Sequence, residues 1–255
     1  MSFQQLFFSS GAAVAAVEAT GGSIYTNGDY KIHAFTTSAN FKVTAINNTA
    51  APWECYVVGG GSFLTASAGN SSGGCDGANG GYGGEGGGYT FASGTINAFT
   101  VNTNYFASVG LDGSSSSFGG YSANPYGGGS GGSGGTKGSG GTPPTNGSAG
   151  SIPTSITWIS GVTTRLGSGG GGGGGGGEEQ IDYYNGAGGA PNGGAGGLPL
   201  QNGQSGIDVD NLYWPGAGPG GGGGAGGNCS GGQDGGAAGF GAKGLVIIRY
   251  KFQNV

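Results

Sequence analysis

The sequence predicts an all-β protein with an irregular glycine-rich region. N- and C-terminal strands are expected to pair into a small sheet or sandwich, joined to a bundle of polyglycine II helices. Three observations lead there. Glycine fills 71 of 255 positions, about four times the usual share of roughly 7%. Segments of period-two hydrophobic alternation flank the glycine tracts. The chain closes on Leu245-Val246-Ile247-Ile248-Arg249-Tyr250-Lys251-Phe252, apolar on both faces at its start, as a central strand would be.

The strands can be justified in chain order. Ser23-Ile24-Tyr25-Thr26 leads into Asn27-Gly28, a type I′ hairpin signal. Tyr30, Ile32 and Ala34 then alternate with Lys31, His33 and Phe35, and Phe41, Val43 and Ala45 alternate with Lys42 and Thr44. Alternation across a tight turn is an antiparallel meander. Trp53 to Val58 forms another strand that runs directly into Gly59-Gly60-Gly61. A second β-rich piece contains Tyr89-Thr90-Phe91, Ile96 to Val101 and Tyr105 to Val109. No single piece can bury its apolar face alone, so all are expected to share one sheet or sandwich that ties the two ends of the chain together.

Between them lie six glycine-rich tracts: 77–88, 119–141, 167–177, 186–197, 216–227 and 231–241. Isolated Gly/Ser tracts ordinarily behave as flexible linker. Here they recur six times between strands that need one another, and a floppy connection would cost closure entropy without return. Ordered glycine offers no side chain to bury, so its stabilisation must come from backbone hydrogen bonds to neighbouring segments. A three-residue-per-turn extended helix has no internal hydrogen bonds and rises ~3.1 Å per residue. The nine consecutive glycines at 169–177 would then span roughly 28 Å. Interior sites demand glycine, whereas outer sites tolerate Ser, Tyr, Glu or Ala. Tyr82 and Glu85, three apart in a glycine run, fit one outer edge.

Composition also excludes. Seven Lys and Arg against twelve Asp and Glu give a net charge of -5, which opposes phosphate-driven nucleic-acid binding. Glycine at this density forbids a helical bundle. Nine prolines without a strict triplet period forbid collagen. No apolar run is long enough for a membrane span. The stretch from Ala12 to Val17 resembles a signal core, but it lacks a basic flank, so no signal peptide is expected. Cys55, Cys75 and Cys229 form no CxxC pair. Three reduced thiols are the plainer expectation, and one disulfide with a thiol left over is the alternative.

The residues from Ile24 to Phe35, the run Val57-Val58-Gly59-Gly60-Gly61 and the ending from Gly244 to Tyr250 together resemble the glycine-rich domains of bacteriophage tail fibre proteins. The order of strand, glycine tracts and closing strand is similar to that of the polyglycine II sandwich tip adhesins of T-even-type phages. The resemblance covers residues 21–252. It implies a virion protein whose stacked helices hold out loops that bind a host surface glycan or protein receptor. It also implies a division into an N-terminal attachment segment, 1–20, and a single β plus glycine-rich domain, 21–255. Phe3, Leu6 and Phe7 would dock on other virion subunits, and a homotrimer is compatible with this reading.

Chemistry is weakly signalled. His33 is the sole histidine and sits in a strand, which favours a structural role. Ser130 and Ser133 lie in GxSxG strings that a Gly–Ser tract produces by chance, and Thr136-Lys137-Gly138 does not fit a P-loop. Glu178, Glu179 and Asp182, and Asp208, Asp210 and Asn211, form two oxygen-rich clusters without an EF-hand pattern. No catalysis, metal or cofactor is expected. If successive tracts run antiparallel, connections 62–76, 142–166 and 198–215 share one end, and 89–126 and 178–185 the other. The first end collects Phe63, Trp158, Ile159, Leu212, Tyr213 and Trp214 as candidate receptor-binding residues; Tyr183 and Tyr184 form a second patch. Aromatic side chains on loops suit receptors, with plugging of the bundle end as the competing role. A purely structural capsid or fibre component is the alternative function. An ice-binding protein is a third reading, disfavoured by the irregular spacers.

Overall fold

The computed structural model describes residues 16–62, 66–111, 113–139, 142–177, 185–188, 201–204, 212–218, 221, 223–224 and 232–253. The protein is all-β, with several antiparallel sheets. Strands β1 (Val17–Thr20), β2 (Ser23–Asn27), β3 (Tyr30–Phe35), β4 (Ala39–Ile46) and β5 (Pro52–Val58) precede the first tract. Strands β6 (Tyr89–Thr95), β7 (Asn104–Ala107), β8 (Ser116–Phe118) and β9 (Tyr121–Ala123) form the second β-rich piece. The short hairpin β10 (Thr154–Ile156) and β11 (Thr164–Leu166) follows, and β12 (Leu245–Lys251) closes the chain.

The main sheet has the order β2-β3-β12-β5-β6, all antiparallel. The last strand therefore lies between two of the first, as its doubly apolar start predicts. A three-stranded sheet, β1-β4-β7, packs against one face. The core between the two sheets contains Phe41 and Val43 from one side and Phe35, Trp53, Cys55, Val57, Val246, Ile248 and Tyr250 from the other. A smaller core on the opposite face contains Ile32, Ala34, Val58, Leu245 and Ile247 under Ile156, Trp158, Ile159 and Leu166. β3, β5 and β12 bury apolar or aromatic residues on both faces over most of their length, while Lys31, Glu54, Arg249 and Lys251 keep partial exposure.

Three local expectations are corrected. The β2–β3 register pairs Asn27 with Tyr30, so the two loop residues are Gly28 and Asp29. Gly28 has φ +58 and Asp29 does not share a positive φ, which is the pattern of a type II′ turn with Gly first. Ile96–Ala98 is a 3-10 turn rather than a strand. Val17–Thr20, placed by sequence in the attachment segment, pairs with β4. The bulge between Glu18 and Ala19 breaks the alternation that would have marked it.

The described glycine tracts are joined to one another by backbone hydrogen bonds that step by three residues. The N–H groups of Gly77, Gly80, Gly83 and Gly86 donate to the carbonyls of Gly138, Gly135, Gly132 and Gly129. Those four residues in turn donate to Gly176, Gly173, Gly170 and Gly167. On a second side, Gly169, Gly172 and Gly175 donate to Ser151, Ser148 and Thr145. On a third, Gly218, Gly221 and Gly224 donate to Ser168, Gly171 and Gly174. The run 167–177 is buried throughout and forms the axis of the bundle. One of its neighbours, 145–151, escaped the sequence reading because only Gly147 and Gly150 in it are glycine. Its Ser and Thr side chains sit on the outside, where Ser151 meets Ser130 and Thr145 meets Thr136.

The cysteines follow the alternative reading. Cys75 is disulfide-bonded and Cys55 is a free, buried thiol. Spacing alone carried no signal for the bridge.

Candidate recognition surfaces

Hydrogen-bond direction sorts the connections into two ends. Tract 77–88 runs toward the sheet and meets Gly59 at Gly88. Tract 127–138 runs away from it, 145–151 returns, 167–176 runs away again and 232–244 returns to β12. Connections 89–126 and 152–166 and segment 212–217 thus lie at the sheet end. The Ser139–Thr142 and Ser72–Gln233 bridges lie at the far end. This corrects the expected sorting, which set 142–166 and 198–215 at the end opposite 89–126: with the extra tract at 145–151, residues 152–166 and 212–217 come to the same end as 89–126. Ala16 donates to Phe252 at 2.8 Å, at the edge of the sandwich opposite the bundle, where β12 ends.

The structure brings the described candidates together at the junction of sheet and bundle. Trp158 and Ile159 belong to the outer core, 8% and 5% exposed, and Leu212 packs against it. These residues take the plugging role. The main sheet needs such a cap because Ile32, Ala34 and Ile247 would otherwise face water. The carbonyl of Tyr213 accepts from the Arg165 N–H at 2.8 Å, and that of Pro215 from Gly167 at 2.9 Å. The Arg165 guanidinium lies 4.5 Å from the Trp214 ring centre. Tyr213 remains exposed. Phe63, Tyr183, Tyr184, Phe3, Leu6 and Phe7 lie outside the described residues, as do both acidic clusters.

Arg249 organises the edge of the cap. Its guanidinium sits between Trp158, at 4.3 Å, and Tyr30, at 5.0 Å. Its Nε donates to Glu54 Oε2 at 2.6 Å. The Trp158 carbonyl accepts from Asn27 Nδ2 at 3.0 Å. The Trp158 ring therefore meets the Arg249 guanidinium and, at 5.2 Å between centres, the Tyr56 ring, while Asn27 fixes its backbone.

Beyond Trp158 the hairpin stops and the sheet face carries aromatic side chains that the sequence reading did not single out. Tyr56 pairs across strands with Phe91, their rings 4.9 Å apart, and lies 6.2 Å from Tyr89. Phe91 and Tyr89 are two apart on β6, hence on one face, and both are exposed. Next to Tyr89 a cleft of about 440 Å³ is lined by Gly88, Thr90, Ser122, Asn124, Tyr126 and Pro153 among others. The available signal was the period of two: Tyr89 and Phe91 flank Thr90, whose hydroxyl turns inward to the Ser122 carbonyl at 2.7 Å.

The perturbed ionisable groups are structural. Burial lowers the affinity of His33 for a proton, partly offset by its contact with the Gly21 carbonyl. Its ring stands between Phe41 and Tyr250, as a satisfied core histidine. Burial pushes the Cys55 thiol up to about 12 and raises the Tyr250 phenol. Burial, with Tyr89 and Glu54, also raises Tyr56. Among the described residues no group of His, Cys, Asp and Glu could hold a metal ion. At the far end, Lys137 pairs with Asp76 at 2.9 Å, both solvent-exposed. No helix among the described residues is long and apolar enough to cross a membrane.

Comparison with models of known protein families finds no match. No curated protein sequence matches the chain either.

Proposed function

We propose that the chain is a non-enzymatic phage virion protein, a tail fibre or fibre-tip adhesin, and that its tracts are polyglycine II helices acting as a rigid scaffold for receptor recognition. The observation that carries this reading is the three-residue step of the hydrogen bonds between tracts. That step is the repeat of a helix with three residues per turn and outward-pointing backbone groups. Such a bundle is stiff, and loops held by a rigid scaffold are where binding residues concentrate. The junction of Ala16 with Phe252 supports attachment through the edge opposite the bundle, leaving loops and sheet faces free for a host glycan or protein. The reading needs no cofactor and no nucleic acid.

The test is binding of the labelled, purified chain to a panel of intact bacterial cells. A double substitution, Tyr213→Ala with Trp214→Ala, probes the candidates closest to solvent; Trp158 is spared because it supports the core. Saturable binding to at least one strain is expected. A chain that binds no strain under any condition leaves the purely structural virion role in its place.

A further inference from the structure

We propose that the cleft between Tyr89 and Tyr126 is a binding site for a neutral saccharide chain. This names the ligand class and position for the receptor reading above and rests on it. Tyr126 is 59% and Tyr89 37% exposed, and both line the cleft. Its volume of about 440 Å³ falls in the range of roughly 300–1,000 Å³ typical of small-ligand sites. Two large exposed rings thus border one cavity.

The lining decides the chemistry. Asn124 and Ser122 supply an amide and a hydroxyl, and no lining residue is charged. A pyranose ring presents an apolar C–H face to an aromatic ring and hydroxyls at its edge, matching rings on the walls and amide and hydroxyl groups between them. Anionic ligands are disfavoured, because Glu85 Oε1 accepts from the Gly127 N–H at 3.0 Å beside the cleft and no lining cation offsets it. The surface also continues beyond one sugar. Tyr56 lies 6.2 Å from Tyr89 and 4.9 Å from Phe91, forming a rail of rings that ends near the Glu54–Arg249 ion pair. An extended chain could stack along this rail, with polar contacts at both ends.

The floor is preorganised. The Asn124 carbonyl accepts from Gly88 at 2.9 Å, and the Ser122 carbonyl from Thr90 Oγ1 at 2.7 Å. The loop 122–127 is thereby tied to the edge strand β6 before any ligand arrives, which lowers the ordering cost of binding.

The experiment uses the full chain and an immobilised panel of maltohexaose, cellohexaose, mannohexaose and chitohexaose, with sialyllactose and hexagalacturonate as acidic comparators. Hits are titrated by calorimetry, and the variants are also scored for cell binding. Retention of at least one neutral saccharide is expected, weakened about tenfold or more by Tyr126→Ala and by Tyr89→Ala. Tyr126→Phe should retain binding, and Tyr213→Ala should leave it unchanged. Asn124→Ala, at an exposed position, gives a second probe that removes no ring. Retention of acidic saccharides alone, or binding indifferent to both tyrosine substitutions, overturns the cleft assignment. Cells bound without any saccharide bound overturns the cleft and leaves the adhesin reading standing. Saccharide binding lost in the variants, with no cell bound by the parent chain, sustains the cleft and overturns the adhesin reading.

Discussion

Replacing Gly172 by alanine tests whether the glycine bundle is a packed solid. A Cβ at Gly172 would lie 2.0 Å from the Ser133 carbonyl oxygen and 2.9 Å from that of Gly132. Ordinary contact begins at 3.4 Å, so the neighbouring tract must retreat by more than an ångström. The peptide it pushes carries two lattice bonds, Gly83 N–H to Gly132 and Ser148 N–H to Ser133, each 2.9 Å. A net loss of about 1 kcal/mol per bond, rising to about 1–3 kcal/mol where a buried group is left unpaired, gives a destabilisation of about 2–6 kcal/mol. That is a large part of the ~5–15 kcal/mol that holds an ordinary domain together. Gly73→Ala is the matched control, because nothing among the described residues lies within 4 Å of its added Cβ and its φ is not positive. It should be neutral, or stabilising by about 0.4–1 kcal/mol through the unfolded chain. Urea unfolding followed by near-ultraviolet circular dichroism reads both. Equal stability of the two variants, within about 1 kcal/mol, would refute the packed lattice and return the tracts to flexible linker.

Other consequences can be measured in the same way. The Ser168 hydroxyl is fully buried without a hydrogen-bond partner among the described residues, so Ser168→Ala keeps the Cβ, removes the orphan and should raise stability by about 1 kcal/mol. Burial depresses the proton affinity of His33, so the unfolded chain binds the proton better. Stability should therefore fall as pH drops below about 6.5, the unfolded value, and His33→Phe should flatten that part of the pH profile. The Cys55 thiol, buried and pushed up to about 12, should resist iodoacetamide at pH 8 in the native protein and react on unfolding; native labelling of Cys55 at the rate of a free thiol would contradict its place in the core.

How much was legible in the sequence depended on whether a residue's neighbours were local. The strands from Ile24 to Val58 and the closing octet were readable because side-chain alternation is a local property. Even the central place of β12 was readable, since Leu245, Val246, Ile247 and Ile248 are fully buried on alternating faces. The roles of Trp158 and Ile159 were not. Nothing near them in sequence says that Ile32, Ala34 and Ile247, up to 126 positions away in the case of Trp158 and Ile32, need a lid. The tract at 145–151 was missed for a related reason. A three-residue repeat requires glycine only where another backbone presses in, as at Gly147 and Gly150, whose added Cβ atoms would lie about 2 Å from carbonyls of Gly172 and Gly169. Elsewhere Thr, Asn and Ser are free to occupy the outer positions, and the composition ceases to look like a tract. The rings at Tyr89 and Phe91 were read as strand residues, and only the absence of a covering element among the described residues over that half of the sheet makes them a surface.

Sheet and bundle also depend on each other through topology. β12 separates β3 from β5, so without it the main sheet falls into two strand pairs, β2–β3 and β5–β6, and isolated two-stranded pairs are marginal alone. Yet β12 follows β5 by the whole length of the glycine region. Bringing them together is a long loop closure, whose entropy cost grows only slowly with length; the larger cost is ordering the glycines themselves. The lattice offsets that cost only when its strands of backbone are already aligned, and the alignment begins at the sheet. Gly59 donates to Gly88, Gly244 to Gly110 and Gly216 to Lys243, so the first bonds of the bundle are extensions of the ends of β5, β6 and β12. The sheet sets the spacing and direction of the tracts, and the tracts in turn hold the β5 and β12 ends together. Each half supplies the alignment the other lacks, which is why a chain with so little hydrophobic residue can remain folded over its glycine-rich length.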